Sequence, residues 1–503
     1  MKRILTFMMG LSAAVNLAGA ATTAWVGPGD GPWNDPGRWS LGVPNAATHE
    51  VTIAGIGTWT VTVAAGTPAT AMNLQRLVLG GSGSEAVVLR LDRLGATPMR
   101  LIDSLNIFAG GSLEVVDSRL ELDGALSGGG FHLNAGSVSL DGGSWLVTNA
   151  VTRIGRVGDG RATVRSGRFD AGGDLLVGDL TGSSGLFVLQ GGTAVVQGMI
   201  HIADDLGSVG EMRVEGGILQ MNGPTLRIGD DGSGRMVVSD GSVLADDISV
   251  GRGPGSDGRL TVSGGTMRCG DVSIGRFEGA RGRAEVVGGL LDLSLDTLSV
   301  GREGMGELLV SAGEVRAAEM VVGATNTSQG LVEITGGRLV VGHLLAERPG
   351  SVLRVASGLL EVTSSRVRNG SPLVIGDGLQ SAVLRLGAGT HHFADGLVIE
   401  AGSRLEGEGD IEGQLTVRGV DARDGQGNPP TGPMLQLVRL AQAWEVRSPS
   451  QPGWVYQLEV MDDGTWAGWS DWGQPVAGTG DLIGLPIPAG FEVRMFRVRV
   501  TSN

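Results

Sequence analysis

Apolar and polar residues alternate over short stretches of this chain, and the alternation breaks at regularly spaced glycines. Ten of them, Gly143, Gly167, Gly192, Gly217, Gly241, Gly265, Gly289, Gly313, Gly337 and Gly358, follow one another at intervals of 21 to 25 residues. Three positions travel with each glycine and are apolar in every copy. Five residues before it stand Val138, Ala162, Phe187, Met212, Met236, Leu260, Ala284, Leu308, Val332 and Leu353. Three before it stand Leu140, Val164, Leu189, Val214, Val238, Val262, Val286, Val310, Ile334 and Val355. Two after it stand Trp145, Phe169, Ala194, Leu219, Val243, Met267, Leu291, Val315, Leu339 and Leu360. Period-two alternation on both sides of a glycine predicts two strands joined at a sharp corner.

An Ile-Gly or Val-Gly pair precedes the corner by 12 or 14 residues and ends at Gly155, Gly178, Gly229, Gly251, Gly275, Gly301 and Gly323, with Ala203 once in place of glycine. The two-residue change in this spacing therefore falls in one loop. A repeat of about 24 residues with three short strands and no helical segment predicts one coil of a parallel β-solenoid, in which equivalent strands stack ~4.8 Å apart. Three inward side chains cannot offset the ordering entropy of a whole coil, so the coils are stable only as a stack.

The flanks differ from the array. Residues 1–20 carry Lys2 and Arg3, an apolar run from Ile4 to Leu17 and the small-residue end Ala18-Gly19-Ala20, which predicts a signal peptide and a mature chain starting at Ala21. No later apolar run is long enough to span a membrane as a helix. Residues 21–80, with Trp25, Trp33, Trp39 and Trp59, are expected to form an N-terminal cap, followed by the array over 81–420. The polar, Gly/Pro-rich stretch 421–433 reads as a linker, and 434–503, with five tryptophans, as a small C-terminal β-sandwich. Both terminal units stand where a solenoid would otherwise expose unpaired edges.

Composition narrows the function. The mature chain has 36 basic against 53 acidic residues, a formal charge of −17, which excludes nucleic acid as a natural partner. Lys2 is the only lysine, so the mature form holds no lysine nucleophile. The single Cys269 forbids an internal disulfide and is expected to be a small buried hydrophobe.

The residue after each Ile/Val-Gly pair reads Arg156, Asp179, Asp204, Asp230, Arg252, Arg276, Arg302 and Ala324. Stacking aligns three aspartates and then three arginines on one ridge, with Asp205 and Asp231 adding to the acidic part. No cofactor is required by any motif, but Asp179, Asp204, Asp205, Asp230 and Asp231 are the residues that could hold a hard cation, Ca²⁺ being the natural choice, against the alternative of solvated loop carboxylates. Arg252, Arg276 and Arg302 form the best basic strip, suited to clamping carboxylates. His391 and His392 are adjacent in a strand and face opposite ways, so they cannot share one metal. The remaining histidines show no ligand spacing. Trp466, Trp469 and Trp472 are the candidate sugar-stacking platform, with core packing as the alternative use.

The strings LLVGDLTGSSGLFVLQGGTAVVQG and ISVGRGPGSDGRLTVSGGTMRCG resemble the type V secretion and PEP-CTERM-associated repeat of large exported bacterial proteins, over about residues 143–376. WVGPGDGPWNDPGRWSLGVPNAATHEVTI resembles the tryptophan-rich start of such surface proteins. VYQLEVMDDGTWAGWSDWGQP with MFRVRV resembles a β-sandwich found on exported proteins. The resemblance implies a right-handed parallel β-helix at the cell surface or beyond it, without defined catalytic residues. Neither a translocator barrel nor a PEP-CTERM tail is recognised here. The expectation is an all-β, exported structural or adhesive β-solenoid, non-catalytic, whose partners are extracellular glycans or cell-surface components. The alternative is a β-helix that binds or degrades polysaccharide, since many parallel β-helices are lyases or hydrolases.

Overall fold

The computed structural model describes residues 21–55, 57–124 and 129–423, together with 436–439, 443–450, 453–461, 470–479, 481–488 and 495–502 of the C-terminal part. Cys269 and the glycines and apolar positions of the repeat all lie inside this range; the leader, Trp466 and Trp469 lie outside it.

One coil shows how the sequence makes the fold. Strands Asp257–Val262, Thr266–Arg268 and Val272–Ile274 are separated by Gly265 and closed by Gly275. Each strand pairs in parallel with its equivalents in the coils before and after, Val262 with Val238 and Val286, and Val286 with Val310. All thirty apolar positions of the repeat are buried, none more than 8% exposed, and face a single continuous core. The chain is a parallel β-solenoid of about 16 turns, which at one strand spacing per turn makes a rod roughly 75 Å long. No α-helix occurs among the described residues, so none is long and apolar enough to cross a membrane.

The corner glycines are required twice over. All ten have φ between 63° and 85°, where a Cβ clashes with its own backbone. Their neighbours are just as restrictive: a Cβ on Gly265 would lie 2.5 Å from the Gly241 carbonyl oxygen, and one on Gly241 2.5 Å from that of Gly217. The coils thus approach backbone to backbone at this edge.

The lumen is filled by complementary sizes rather than a uniform residue. Phe131, Trp145, Phe169 and Phe187 form a continuous run of ring contacts with centroids 4.4, 4.4 and 5.7 Å apart. Ala162, Ala171 and Ala194, all fully buried, supply the small positions in these coils, as close packing demands.

The ladders reach further than the repeat. Thr22–Ala24 pairs with Glu50–Ile53, which pairs with Asn73–Asp92, and Gly31–Pro32 pairs with Thr58–Ala64. The tryptophan-rich segment is therefore built as the first coils of the solenoid. Trp25 and Trp33 each pack edge-on to Trp39, and the Trp33 and Trp39 indole N–H groups donate to the carbonyls of Ala71 and Trp33. At the other end parallel pairing runs to Val420–Asp421. Beyond it, two separate antiparallel sheets order Gln436–Arg439, Ala443–Pro449 and Leu482–Pro488, and Ser470–Ala477, Trp454–Met461 and Met495–Ser502. Val446, Leu458 and Leu485 form their small core.

Two substitutions test the corner argument. Gly265→Ala should destabilise the chain by about 2–3 kcal/mol or more, from left-handed strain and the displaced carbonyl together, read as a lowered urea midpoint; an unchanged midpoint would remove the constraint. Ala203 is the converse case, a fully buried alanine at φ 61° in a column of glycines. Relief of ~1–2 kcal/mol of strain exceeds the ~0.5–1 kcal/mol entropic cost of glycine, so Ala203→Gly should raise the thermal midpoint rather than lower it.

Candidate functional site

The ridge beside the third ladder holds the charged residues singled out above. Its stacking is carried by backbone hydrogen bonds: Asp179 N–H donates to Gly155, Asp204 to Gly178, Asp230 to Ala203, Arg252 to Gly229, Arg276 to Gly251 and Arg302 to Gly275. The aspartates and arginines therefore stand in the expected column, one per coil. Asp205 and Asp231 occupy the next column, Asp205 N–H donating to Asp179 and Asp231 N–H to Asp204.

What the sequence reading missed is the outward residue two places before each second-landmark position. It reads Arg153, Leu176, His201, Arg227, Ser249, Ser273 and Ser299, in register along the third ladder. The acidic coils meet a cation from this column. Arg153 Nε lies 2.9 Å from Asp179, and Arg227 Nη1 2.9 Å from Asp230. His201 Nδ1 lies 2.8 Å from both Asp204 Oδ1 and Asp230 Oδ2, and Arg252 Nη1 reaches Asp230 Oδ1 at 3.0 Å from the following coil.

His201 and Asp230 are buried, 7% and 3% exposed, so this knot governs its own protonation. Burial opposes a charged imidazole, but the hydrogen bonds to Asp204 and Asp230 outweigh it and push the His201 pKa to about 9. Burial likewise works against the Asp230 carboxylate, yet His201 and Arg227 hold it down to about 2. Asp179 is raised by burial, and by Asp204 and Asp205, against the pull of Arg153. Asp231 is raised by burial and by Asp230.

His201, Asp204 and Asp230 each offer one ligand atom, all within 4.8 Å, so they are the subset of the acidic ridge geometrically able to share a cation. A nitrogen with two carboxylate oxygens suits a borderline metal better than Ca²⁺. The proton on His201 would have to leave first, and Arg227 and Arg252 already donate to both oxygens of Asp230. The arrangement as it stands is an imidazolium and two guanidiniums gathered around two carboxylates.

The other expectations are placed as follows. His391 is fully buried against Ser365 and Gly387, and burial lowers its pKa, while His392 faces outward to Glu412, so the two do face opposite ways. Cys269 is buried, and burial pushes its thiol up. Trp472 packs half-buried on the Val446, Leu458 and Leu485 core. On the first ladder Arg235, Arg259 and Arg283 stand in register and border a shallow depression of about 700 Å³, but each is paired to a carboxylate, Glu211, Asp257 and Glu285 in turn. A second depression, of about 730 Å³, holds His343 with Nδ1 2.6 Å from Ser364 Oγ, beside Glu319 and His392.

Comparison with protein families, with curated proteins and with solved structures finds no match.

The knot gives a pH signature. The folded pKa of His201 lies above its ordinary 6.5, so its contribution is complete below pH 6.5 and lost as pH rises through about 9. Linkage sets an upper size on the order of 3 kcal/mol. Thermal stability should therefore fall between pH 6.5 and 9.5 in the wild type, and His201→Gln should lower it at pH 6 and flatten that slope. Parallel pH profiles for the two proteins would refute the assignment.

Proposed function

We propose that this chain is an exported, non-catalytic β-solenoid that serves as a structural or adhesive element outside the cell. The observation that carries this reading is the uninterrupted stack of about 16 turns, in which the sequence is spent on a regular rod with short loops. A rod of this kind presents many equivalent outward positions and few convergent ones, which favours extended contact over chemistry at a point. The apolar leader and its small-residue end supply the route of export. Extracellular glycans and surface components are the partners that fit.

Degradation of a polysaccharide is the second reading, and it has a location. His343 and Ser364, hydrogen-bonded to each other in the outward depression of the later coils, are the residues through which it would run.

Two measurements separate the readings. Cell fractionation of the full chain carrying a C-terminal tag should place a protein beginning at Ala21 outside the cytoplasm; retention of residues 1–20 in the cytoplasm would remove the export reading. Incubation with pectin, alginate and neutral glucans should release neither unsaturated products nor reducing ends. Turnover abolished by His343→Ala or Arg276→Ala would promote the enzyme.

A further inference from the structure

Three aspartates of the ridge are paired with cations, and two of its arginines are paired with no carboxylate among the described residues. In the acidic coils the third-ladder column supplies the countercharge, as Arg153, His201 and Arg227 do for Asp179, Asp204 and Asp230. In the next three coils the same pair of columns carries Ser-Val-Gly-Arg, Ser-Ile-Gly-Arg and Ser-Val-Gly-Arg, at 249–252, 273–276 and 299–302. In each copy the serine stands in the column beside the arginine, one strand spacing from the next; Ser249 and Ser273 are buried and Ser299 is half-buried, so the guanidiniums are what the face presents.

Arg252 is drawn to Asp230, but no carboxylate lies within ion-pair distance of Arg276 or Arg302 among the described residues. Arg276 Nη1 donates to the Ser249 hydroxyl instead, 3.0 Å away. Asp247 is near enough to favour its charge, yet burial and the arginines at 302, 252 and 227 dominate and hold the Arg276 guanidinium below its ordinary pKa. The exposed Glu278 and the half-exposed Glu303 stand in the adjoining loops without reaching either arginine. Phe277 completes the patch. Its half-exposed ring lies 5.3 Å from the guanidinium carbons of both Arg252 and Arg276.

Guanidiniums without a carboxylate partner are oxyanion receptors, and a half-exposed ring among them can meet the apolar face of a sugar. The repetition per coil suits a linear polymer that offers an anionic group at each sugar, since one sugar and one coil advance by similar distances. We infer that the Arg252, Arg276 and Arg302 ladder with Phe277, backed by the serine column, binds an acidic polysaccharide, its carboxylates or sulfates lying on Arg276 and Arg302. The inference rests on the adhesive reading and gives it a ligand class; it requires no turnover.

Binding of the full mature chain to polygalacturonate, dextran sulfate, a neutral glucan and inorganic polyphosphate, followed by calorimetry at low and high salt, tests it. The polyuronate or the sulfated polymer should bind, the neutral glucan should not, and the better of the two assigns carboxylate or sulfate. Arg276→Gln and Arg302→Gln should each weaken binding about tenfold, the loss of one charge-assisted contact, and reduce its salt dependence. Phe277→Ala should weaken the sugar acids and not polyphosphate. Arg100→Gln, in the early coils and remote from the ladder, should change nothing. Arg302 is exposed, so its substitution keeps the test open should Arg276→Gln not fold. Absence of binding to both acidic polymers, binding indifferent to Arg276 and Arg302, or equal capture of polyphosphate with Phe277→Ala inert would overturn the inference. Cell fractionation is independent of all these outcomes, so a failed ladder and a failed export reading are told apart.

Discussion

The structure depends on how closely two backbones can approach at a corner. From Gly167 to Gly358 each coil turns at a left-handed glycine whose missing Cβ leaves room for the carbonyl of the glycine one coil earlier. A side chain here would push adjacent coils apart, and the three parallel ladders could not all keep hydrogen-bonding distance. The apolar ladders supply the driving force, but the glycine column sets the pitch at which they stack. A second column at the Ile/Val-Gly landmark does the same where the third strand leaves, since a Cβ on Gly178 would lie 2.2 Å from the Val209 carbonyl oxygen. Ala203 shows that this column tolerates one exception at the cost of strain.

A fixed pitch also dictates the electrostatics. Outward residues of one column stand ~4.8 Å apart, so a run of like charges must be compensated from a neighbouring column or by something external. Arg153, His201 and Arg227 do the first for the aspartates. This is why Asp179, Asp204 and Asp230, three of the five acidic side chains that read as a cation site in sequence, are found with arginine and imidazolium partners. The salt bridges bind successive coils together, since Asp179 is reached from the coil below it and Asp230 from both sides. Buried ion pairs of this sort fix register more surely than they add stability.

Most of the fold was legible because its determinants are local and repeated. Thirty apolar positions and ten glycines gave the coil, its corner and its inward faces, and Val262, Val286 and Val310 stack as that pattern requires. The start of the solenoid was harder to see, because in the first coils tryptophans replace the short repeat and the coils are longer; only pairing such as Thr23 with Val51 reveals them. The His201 knot was missed for a different reason. Its members are close only across the stack, His201 facing Asp204 within its coil and Asp230 in the next, and no spacing rule for a single helix or strand contains that geometry. Aligning the columns on the second landmark would have found it, as it finds the Ser-Val-Gly-Arg run.

Function in such a molecule is confined to what packing leaves free. The inward positions and the glycines are committed to the stack, and the length of the coil varies by only about two residues on either side of the second landmark. The outward columns alone can change from coil to coil without disturbing pitch, and there the chain passes from self-neutralised pairs to a serine and arginine ladder within three turns. Where the aspartates give way to arginines the compensating cations are no longer needed and serine takes their place, but no carboxylate arrives to pair Arg276 or Arg302 among the described residues. The uncompensated charge of Arg276 and Arg302 in a strongly acidic protein is therefore the feature that packing and solubility do not explain, and a repeating anion laid along the rod does.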